Sequence, residues 1–274
     1  MVDIHVINGG LGNQMFQYAH YLARKNKFPH NVSIFDTHYC VGAHQGFELN
    51  RLFRLSAFGL GWILNIENAI LFSKFRKYIW KRMHICTDKQ DYVYDEESIT
   101  IPKSCIFEGY WQTEKYFKGI EDIVRREFRF DNNMLNQPSK EILDIISSCN
   151  SVSLHIRRGD YLNIKGKDIS LSLDYHKGAI AYIMEHVQDP IFFIFSDDPL
   201  WVRDNLKVEN ATYVDWNSGK DSWQDMCLMS CCKHNIIANS SFSWWGAWLN
   251  ANSEKIVISP KWGGNIIPDE WIQI

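Results

Sequence analysis

At 274 residues, with 29 lysines and arginines against 32 acids, a net charge of −3 and 46% apolar residues, the chain can bury a large core. It carries no surplus of positive charge for a polyanion, so nucleic acid is disfavoured as a partner, and its composition excludes disordered and fibrous classes. The length suits two domains, expected over residues 1–150 and 151–274.

Met1 to Asn8 places an acid and a histidine where an export signal needs a basic start and an unbroken apolar run, so a cytoplasmic protein is expected. The most apolar later stretch, Phe58 to Phe72, contains Asn65, Glu67 and Asn68. It is too short and too polar for a spanning helix of about 20 residues, and no transmembrane segment is expected. Peripheral membrane association stays open, as does the oligomeric state. Seven scattered cysteines, an odd number without an export signal, point to reduced thiols.

Val2–Ile7 reads as a strand, Gly9-Gly10-Leu11-Gly12 as a turn, Met15–Lys27 as a helix with apolar residues at 15, 19 and 22, and Val32–Phe35 as a strand. Residues 40–101 mix glycine, aromatic and basic residues and give no order of elements. A strand follows at Ser104–Phe107, then a helix capped by Thr113 and running through Phe128, then a helix near Ser139–Cys149. After Asn150, strands at 152–157, 191–195, 211–215, 235–238 and 255–259 alternate with helices near 174–187, 199–206, 222–234 and 241–250. That pattern is a doubly wound parallel sheet. The helix at 222–234 sets Trp223, Met226, Cys227 and Cys231 on one apolar face. Cys227, Cys231, Cys232 and His234 therefore read as structural rather than as a metal cluster.

Ligands of open α/β sheets bind beyond the carboxyl ends of strands, and four loops there carry chemistry. Gly9 to Gln14 could let backbone N–H groups approach an anion, although the third glycine of a dinucleotide fingerprint is replaced by Met15; a plain tight turn is the alternative. In Ser153-Leu154-His155-Ile156-Arg157-Arg158-Gly159-Asp160-Tyr161, the polar residues 153, 155 and 157 share one face of the strand. Arg157 at its end could grip a phosphate with two donors, whereas Arg158 and Asp160 read as structural, Asp160 pairing with either arginine to fix the turn. Asp197 and Asp198 follow the strand 191–195 and could accept from a guanine edge or a ribose diol, with Asp198 the better helix cap. The chain has no D-x-D triplet, so no metal is expected. Asn239-Ser240-Ser241-Phe242-Ser243 opens the last helix with hydroxyls and free N–H groups, either as a second anion site or as ordinary capping, and the tryptophans after it read as helix packing. Together these loops describe a cleft for a nucleoside diphosphate compound.

At these residues the chain resembles the bacterial α-1,2-fucosyltransferases, the family that includes the vertebrate galactoside 2-α-fucosyltransferases. The likeness covers nearly the whole chain and rests on Gly10-Leu11-Gly12-Asn13-Gln14-Met15-Phe16-Gln17, His155-Ile156-Arg157-Arg158-Gly159-Asp160-Tyr161, Phe195-Ser196-Asp197-Asp198 and Asn239-Ser240-Ser241-Phe242-Ser243-Trp244-Trp245-Gly246-Ala247. It implies an α/β fold of two facing Rossmann-like domains of GT-B type, the first on the acceptor side and the second binding the donor. It also implies GDP-β-L-fucose as donor, a galactose-terminated glycan as acceptor, inversion at the anomeric carbon, no cofactor and no metal. Arg157 would contact the diphosphate, with Arg157, His155 and Asn13 as the catalytic set. His155 and one of Asp197 and Asp198 would lie near the nucleoside. Asn239, Ser240, Ser241 and Phe242 would complete the phosphate pocket, and Gly10, Gly12 and Asn13 would close it from the opposite domain. At 274 residues the chain is compact for this fold, which implies a trimmed N-terminal half and a shallow acceptor groove, and, unlike in the vertebrate relatives, no transmembrane anchor is expected. Asp36, His44 and Glu108, near strand ends of the first half, are candidates for the general base. Another nucleotide-sugar transferase, or a non-catalytic carbohydrate-binding protein supported by 11 tryptophans, is the alternative.

Overall fold

The computed structural model describes residues 1–56, 78–88, 92–164 and 166–274, so the apolar stretch 58–72 lies outside the described residues. Among the described residues no helix is long and apolar enough to cross a membrane. The chain divides into two compact units, Met1–Phe130 with Gly263–Pro268, and Asp131–Trp262 with Asp269–Ile274. The division falls at residue 130 rather than 150, because the helix Gln137–Ser148 packs Ile142 and Ile146 into the core of the second sheet.

In the first unit β1 (Val2–Val6), β2 (Val32–Asp36), β3 (His84–Thr87) and β4 (Cys105–Glu108) form a parallel sheet in the order β2-β1-β4-β3. Gly9, at φ +75°, reverses the chain after β1 at a spot where a Cβ would meet the Asn13 amide at 2.7 Å. Helix α1 (Leu11–Lys27) then starts four residues before the expected Met15, with Gly10 as N-cap. Its apolar side is buried, and so is the polar stripe Gln14, Gln17, His20 and Arg24 on the other side. Each stripe residue has a partner elsewhere: Gln14 donates to the Gly46 carbonyl (2.8 Å), Gln17 to that of Gly109 (3.1 Å), and His20 meets the Ser98 hydroxyl (3.1 Å). Arg24, fully buried, pairs through Nε with Asp3 Oδ2 at 3.1 Å and donates to the carbonyls of Ile99 and Lys103. A buried ion pair is tolerated only when its remaining donors and acceptors are satisfied, as here.

The interval 40–101 holds the short helices α2 (Leu49–Leu52) and α3 (Glu96–Thr100) and the edge strand β3. Thr113 caps as expected, its hydroxyl accepting from the Lys115 N–H, but it opens only a 3-10 turn, Glu114–Phe117. Gly119, at φ +91°, stops that turn, and a separate helix, α4 (Glu121–Glu127), follows.

The second unit contains α5 (Gln137–Ser148), β5 (Asn150–Ile156), α6 (Leu173–His186), β6 (Pro190–Ser196), α7 (Pro199–Asn205), β7 (Ala211–Val214), α8 (Trp223–Cys231), β8 (His234–Ile236), α9 (Ser241–Leu249), β9 (Val257–Ser259) and β10 (Ile272–Gln273). The strands are parallel in the order β10-β9-β8-β5-β6-β7, the doubly wound sheet expected, extended by the two-residue β10. Val152, Leu154 and Ile156 face Tyr175, Ala179 and Ile183 of α6, whereas Phe193 and Phe195 face Leu228 and Met229 of α8. Of the polar row of β5, Ser153 is satisfied inside the protein: it accepts from Asn235 Nδ2 at 2.7 Å, and Asn235 Oδ1 accepts from Asn250 at 2.8 Å. On α8, Trp223, Met226 and Cys227 are buried as expected, but the helix ends at Cys231, which is exposed, while Cys232 turns inward. All seven cysteines are unbridged.

Replacing Arg24 with Met leaves the Asp3 carboxylate buried without its cation and should cost about 3–5 kcal/mol, read as a lower denaturant midpoint. A loss below about 1 kcal/mol would show that the pair does not hold the first unit together.

Candidate active site

β5 and β8 are hydrogen-bonded neighbours, with Leu154 opposite Ile236, although the chain visits β6 and β7 between them. From β5 it winds outward through β6 and β7, then returns and winds the other way through β8, β9 and β10, so the topological switch point lies between β5 and β8. Arg157 is the first residue beyond β5, and Asn239-Ser240-Ser241 lies just beyond β8. The two loops are tied: Tyr161 Oη donates to the Asn239 carbonyl at 3.2 Å, and the His155 and Phe242 rings are 5.9 Å apart.

Arg157 is one-third exposed and pairs through Nη2 with Asp160 Oδ1 (2.8 Å) and through Nη1 with Asp197 Oδ2 (3.0 Å). The pairing of Asp160 with an arginine is therefore present. Arg158 is fixed from three sides: its N–H donates to Asp197 Oδ1 (2.9 Å), its Nε lies 3.3 Å from Asp198 Oδ2, and its guanidinium sits 4.1 Å over Trp201. Asp198 also caps α7, accepting from the Trp201 N–H at 3.3 Å. Gly159 gives the turn room, since a Cβ there would stand 2.8 Å from Asp197 Oδ2. Asp197 and Asp198 thus face the arginines. Arg157 keeps part of its donor fork for a further acceptor.

At the start of α9, Ser240 accepts from the Phe242 N–H at 3.3 Å, and Ser243 Oγ accepts from the Ala238 N–H at 3.2 Å. Ser241, half-buried, opens the helix. Asn239 donates to the Ile169 carbonyl at 2.9 Å, while its Oδ1 is buried without a hydrogen-bond partner. His155 Nδ1 is likewise buried and unpartnered. Burial, Arg157 and His176, in that order, push the His155 pKa down to about 3, so its imidazole is neutral near pH 7 and suits hydrogen bonding better than proton abstraction.

In the first unit the glycine turn is occupied by the chain itself. Glu48, only 3% exposed, accepts a hydrogen bond from the Leu11 N–H at the start of α1 and pairs with Arg51 at 3.1 Å. The anion that the helix N-terminus favours is this carboxylate, whose pKa burial raises against those two contacts. Gly10 caps the helix, Gly12 is buried in its first turn, and Asn13 accepts from the Gln112 amide at 2.8 Å. Of the candidate bases, Asp36 is buried and accepts from the His38 N–H (3.1 Å), His44 sits in a strained conformation at φ +49°, and Glu108 ends β4. Glu48 and Arg51 escaped sequence reading because Phe47-Glu48-Leu49-Asn50-Arg51 has no periodicity or spacing that marks a site.

Two Rossmann-like α/β units, one with a cationic fork and a hydroxyl-rich helix N-terminus at its switch point, define a class of ligand-binding α/β folds. The family model "Glycosyl transferase family 11" matches residues 1–266, and the chain belongs to that family. It is a glycosyltransferase. It is 33% identical to the alpha-1,2-colitosyltransferase of Escherichia coli, over 97% of this chain and 96% of that protein. It is 31% identical to the Escherichia coli O-antigen biosynthesis glycosyltransferase WbnK, over 98% and 99% of the two chains. Among solved structures, a mutant of Arabidopsis thaliana FUT1 in complex with GDP matches with a TM-score of 0.50 at 11% identity, covering 93% of this chain and 69% of that one, a likeness of fold.

Two buried histidines of the second unit, His155 and His176, set a pH dependence. His176, on α6, is lowered by burial to about 4, and His155 to about 3. Unfolded, each takes up a proton near 6.5, so the unfolded chain binds more protons and stability falls as pH drops from 6.5 toward 4, by up to about 1.4 kcal/mol per pH unit for each group. His176→Phe should flatten that fall in denaturation curves taken between pH 6.5 and 4.5. A slope equal to that of the parent would contradict the burial argument.

Proposed function

We propose that the chain transfers L-fucose from GDP-β-L-fucose to O2 of a terminal galactose, forming an α-1,2 linkage with inversion and without a metal ion. The observation that carries this reading is the convergence of the Arg157 loop and the Ser240–Ser241 turn at the ends of adjacent strands. Breaking the fucose–phosphate bond develops positive charge on the anomeric carbon and ring oxygen and negative charge on the departing β-phosphate. Arg157 and the N-terminus of α9 offer fixed positive charge to that oxygen, and losing one such donor costs on the order of 3 kcal/mol, or about a hundredfold in rate. Inversion follows from direct attack by the acceptor hydroxyl on the face opposite the leaving group, its proton passing to a general base or to water.

The buried state of Trp111, Trp223, Trp244, Trp245, Trp248 and Trp271 speaks against the purely carbohydrate-binding alternative, which needs exposed rings. The alpha-1,2-colitosyltransferase relative favours one second reading, the same linkage and fold with colitose in place of fucose. The O-antigen relative supports a surface polysaccharide repeat as acceptor, assembled from the cytoplasmic pool of nucleotide sugars, with the enzyme free or peripheral at the membrane.

Incubating the purified chain with GDP-fucose and a panel of galactose-terminated acceptors should release GDP and give a product whose NMR linkage analysis shows fucose on O2, with EDTA leaving the rate unchanged. Another linkage, transfer from the colitose donor alone, or activity that EDTA removes and Mg²⁺ restores would each overturn the corresponding part of the proposal.

A further inference from the structure

The four strands of the first sheet run parallel, so all are entered at one edge, and the segments that enter β2, β3 and β4 are basic. Lys27 precedes β2, Lys81 and Arg82 precede β3, and Lys103 precedes β4, each of them exposed, with His30 and His84 exposed beside them. Across residues 1–7, 22–35, 78–86 and 101–107 the only acid is Asp3, which is buried and committed to Arg24. The acids lie at the other end of the sheet: Asp36 and Glu108 close β2 and β4, and Asp88 follows β3. Glu96 and Glu97 occupy the first turn of α3, at the end of that helix away from Lys103. A chain of net charge −3 thus gathers its cations on the amino edge of one sheet.

The same edge carries exposed apolar side chains. Val2 pairs with Val32, and Ile85 with Ile106, which sets Val2, Val32 and Ile85 on the face of the sheet that also carries Ile4. All three are exposed, Val32 to 49%. The segment before β3 is clamped to that face: Ile79, Trp80 and Met83 pack against Ile4, Val6 and Ile106, and the Arg82 and Met83 N–H groups both donate to the Ile79 carbonyl. It holds Tyr78 outward, 52% exposed, with the Arg82 guanidinium 4.3 Å over its ring.

Aliphatic and aromatic side chains interleaved with lysine and arginine fit the interface of a bilayer, where rings lie at the headgroup level and cations meet lipid phosphates. A protein partner asks for a different surface, with apolar residues gathered into a core and the charges outside it. Ligands of open α/β sheets bind at the carboxyl edge, so contact at the amino edge leaves the ligand edge of this unit open.

We propose that the amino edge of the first sheet docks on an anionic phospholipid bilayer, Lys81, Arg82 and Lys103 meeting the lipid phosphates while Val32, Ile85 and Tyr78 enter the interface. The inference goes beyond the transferase reading and stands on the surface alone.

Co-sedimentation of the purified chain with phosphatidylcholine vesicles, with and without phosphatidylglycerol, tests it without turnover. The parent should partition at least tenfold more strongly onto the vesicles containing phosphatidylglycerol, and that binding should weaken as NaCl is raised. Each basic side chain near such a surface is worth about fivefold, so Lys81→Glu with Arg82→Glu should lower partitioning more than tenfold while the melting temperature holds. Val32→Ser should lower it severalfold. Should the first pair unfold its segment, Lys27→Glu with Lys103→Glu, on two other segments, carries the same expectation. A parent with no preference for anionic vesicles, or charge variants that bind like the parent, would overturn the assignment. Loss on charge reversal with Val32→Ser and Tyr78→Ser unaffected would overturn it in favour of a soluble anionic partner. A parent dimer that Val32→Ser dissociates would overturn it in favour of a second copy of the chain. Fucose transfer by a parent that ignores vesicles sinks the docking surface alone, whereas vesicle binding without transfer sinks the transferase reading alone.

Discussion

The hydrogen bonding of β5 to β8 is the constraint on which the candidate site depends. These strands are separated by some 80 residues of chain, yet their pairing, Leu154 against Ile236, brings Arg157 and the first turn of α9 out at the same edge. Because the winding reverses there, the crossover helices diverge to opposite faces and leave a crevice that neither covers. The register is held from inside by Ser153, Asn235 and Asn250, a polar chain buried between β5, β8 and the end of α9. A slip of one residue would turn that chain into unsatisfied groups and bring Leu154 to the wrong face, so the position of Arg157 is fixed by costs paid in the core.

The same economy governs electrostatics in both units. The groups best suited to an external anion are already engaged by carboxylates of the chain: Asp160 and Asp197 at Arg157, Glu48 at the start of α1. Such pairing keeps the cations ordered, and any external anion would have to compete with these carboxylates for the guanidinium. At Arg157 the pairs are partly exposed and screened, so their strength is modest and the fork can be shared. At Glu48 the carboxylate is buried and the helix N-terminus is committed to it.

Much of this was legible in the sequence where local rules govern. β1, β2 and the regular alternation after Asn150 follow from periodicity, because parallel strands buried on both faces must be continuous apolar runs or satisfy their polar members internally. The motifs at strand ends were legible for the same reason: a polar or glycine-rich segment directly after such a strand has few structural uses. β3 and β10 were not, being a half-exposed edge strand of four residues and a two-residue strand. Nor was the role of Gln14, Gln17, His20 and Arg24, whose partners come from β1, α3 and the neighbouring loops. That Asp198 caps a helix was legible, but nothing local shows that Arg157 and Arg158, some 40 residues earlier, stand opposite Asp197 and Asp198. Pairings of this kind belong to the sheet order, which the chain reveals only when folded.

The central claim is that the loops after β5 and β8 hold one pyrophosphate, and calorimetric titration of GDP into the parent chain and into Arg157→Ala tests it most directly. The account predicts that the variant, melting like the parent, binds GDP at least tenfold more weakly, a loss of about 1.4 kcal/mol or more, while its affinity for guanosine is unchanged. Equal GDP affinity in the two proteins would contradict it.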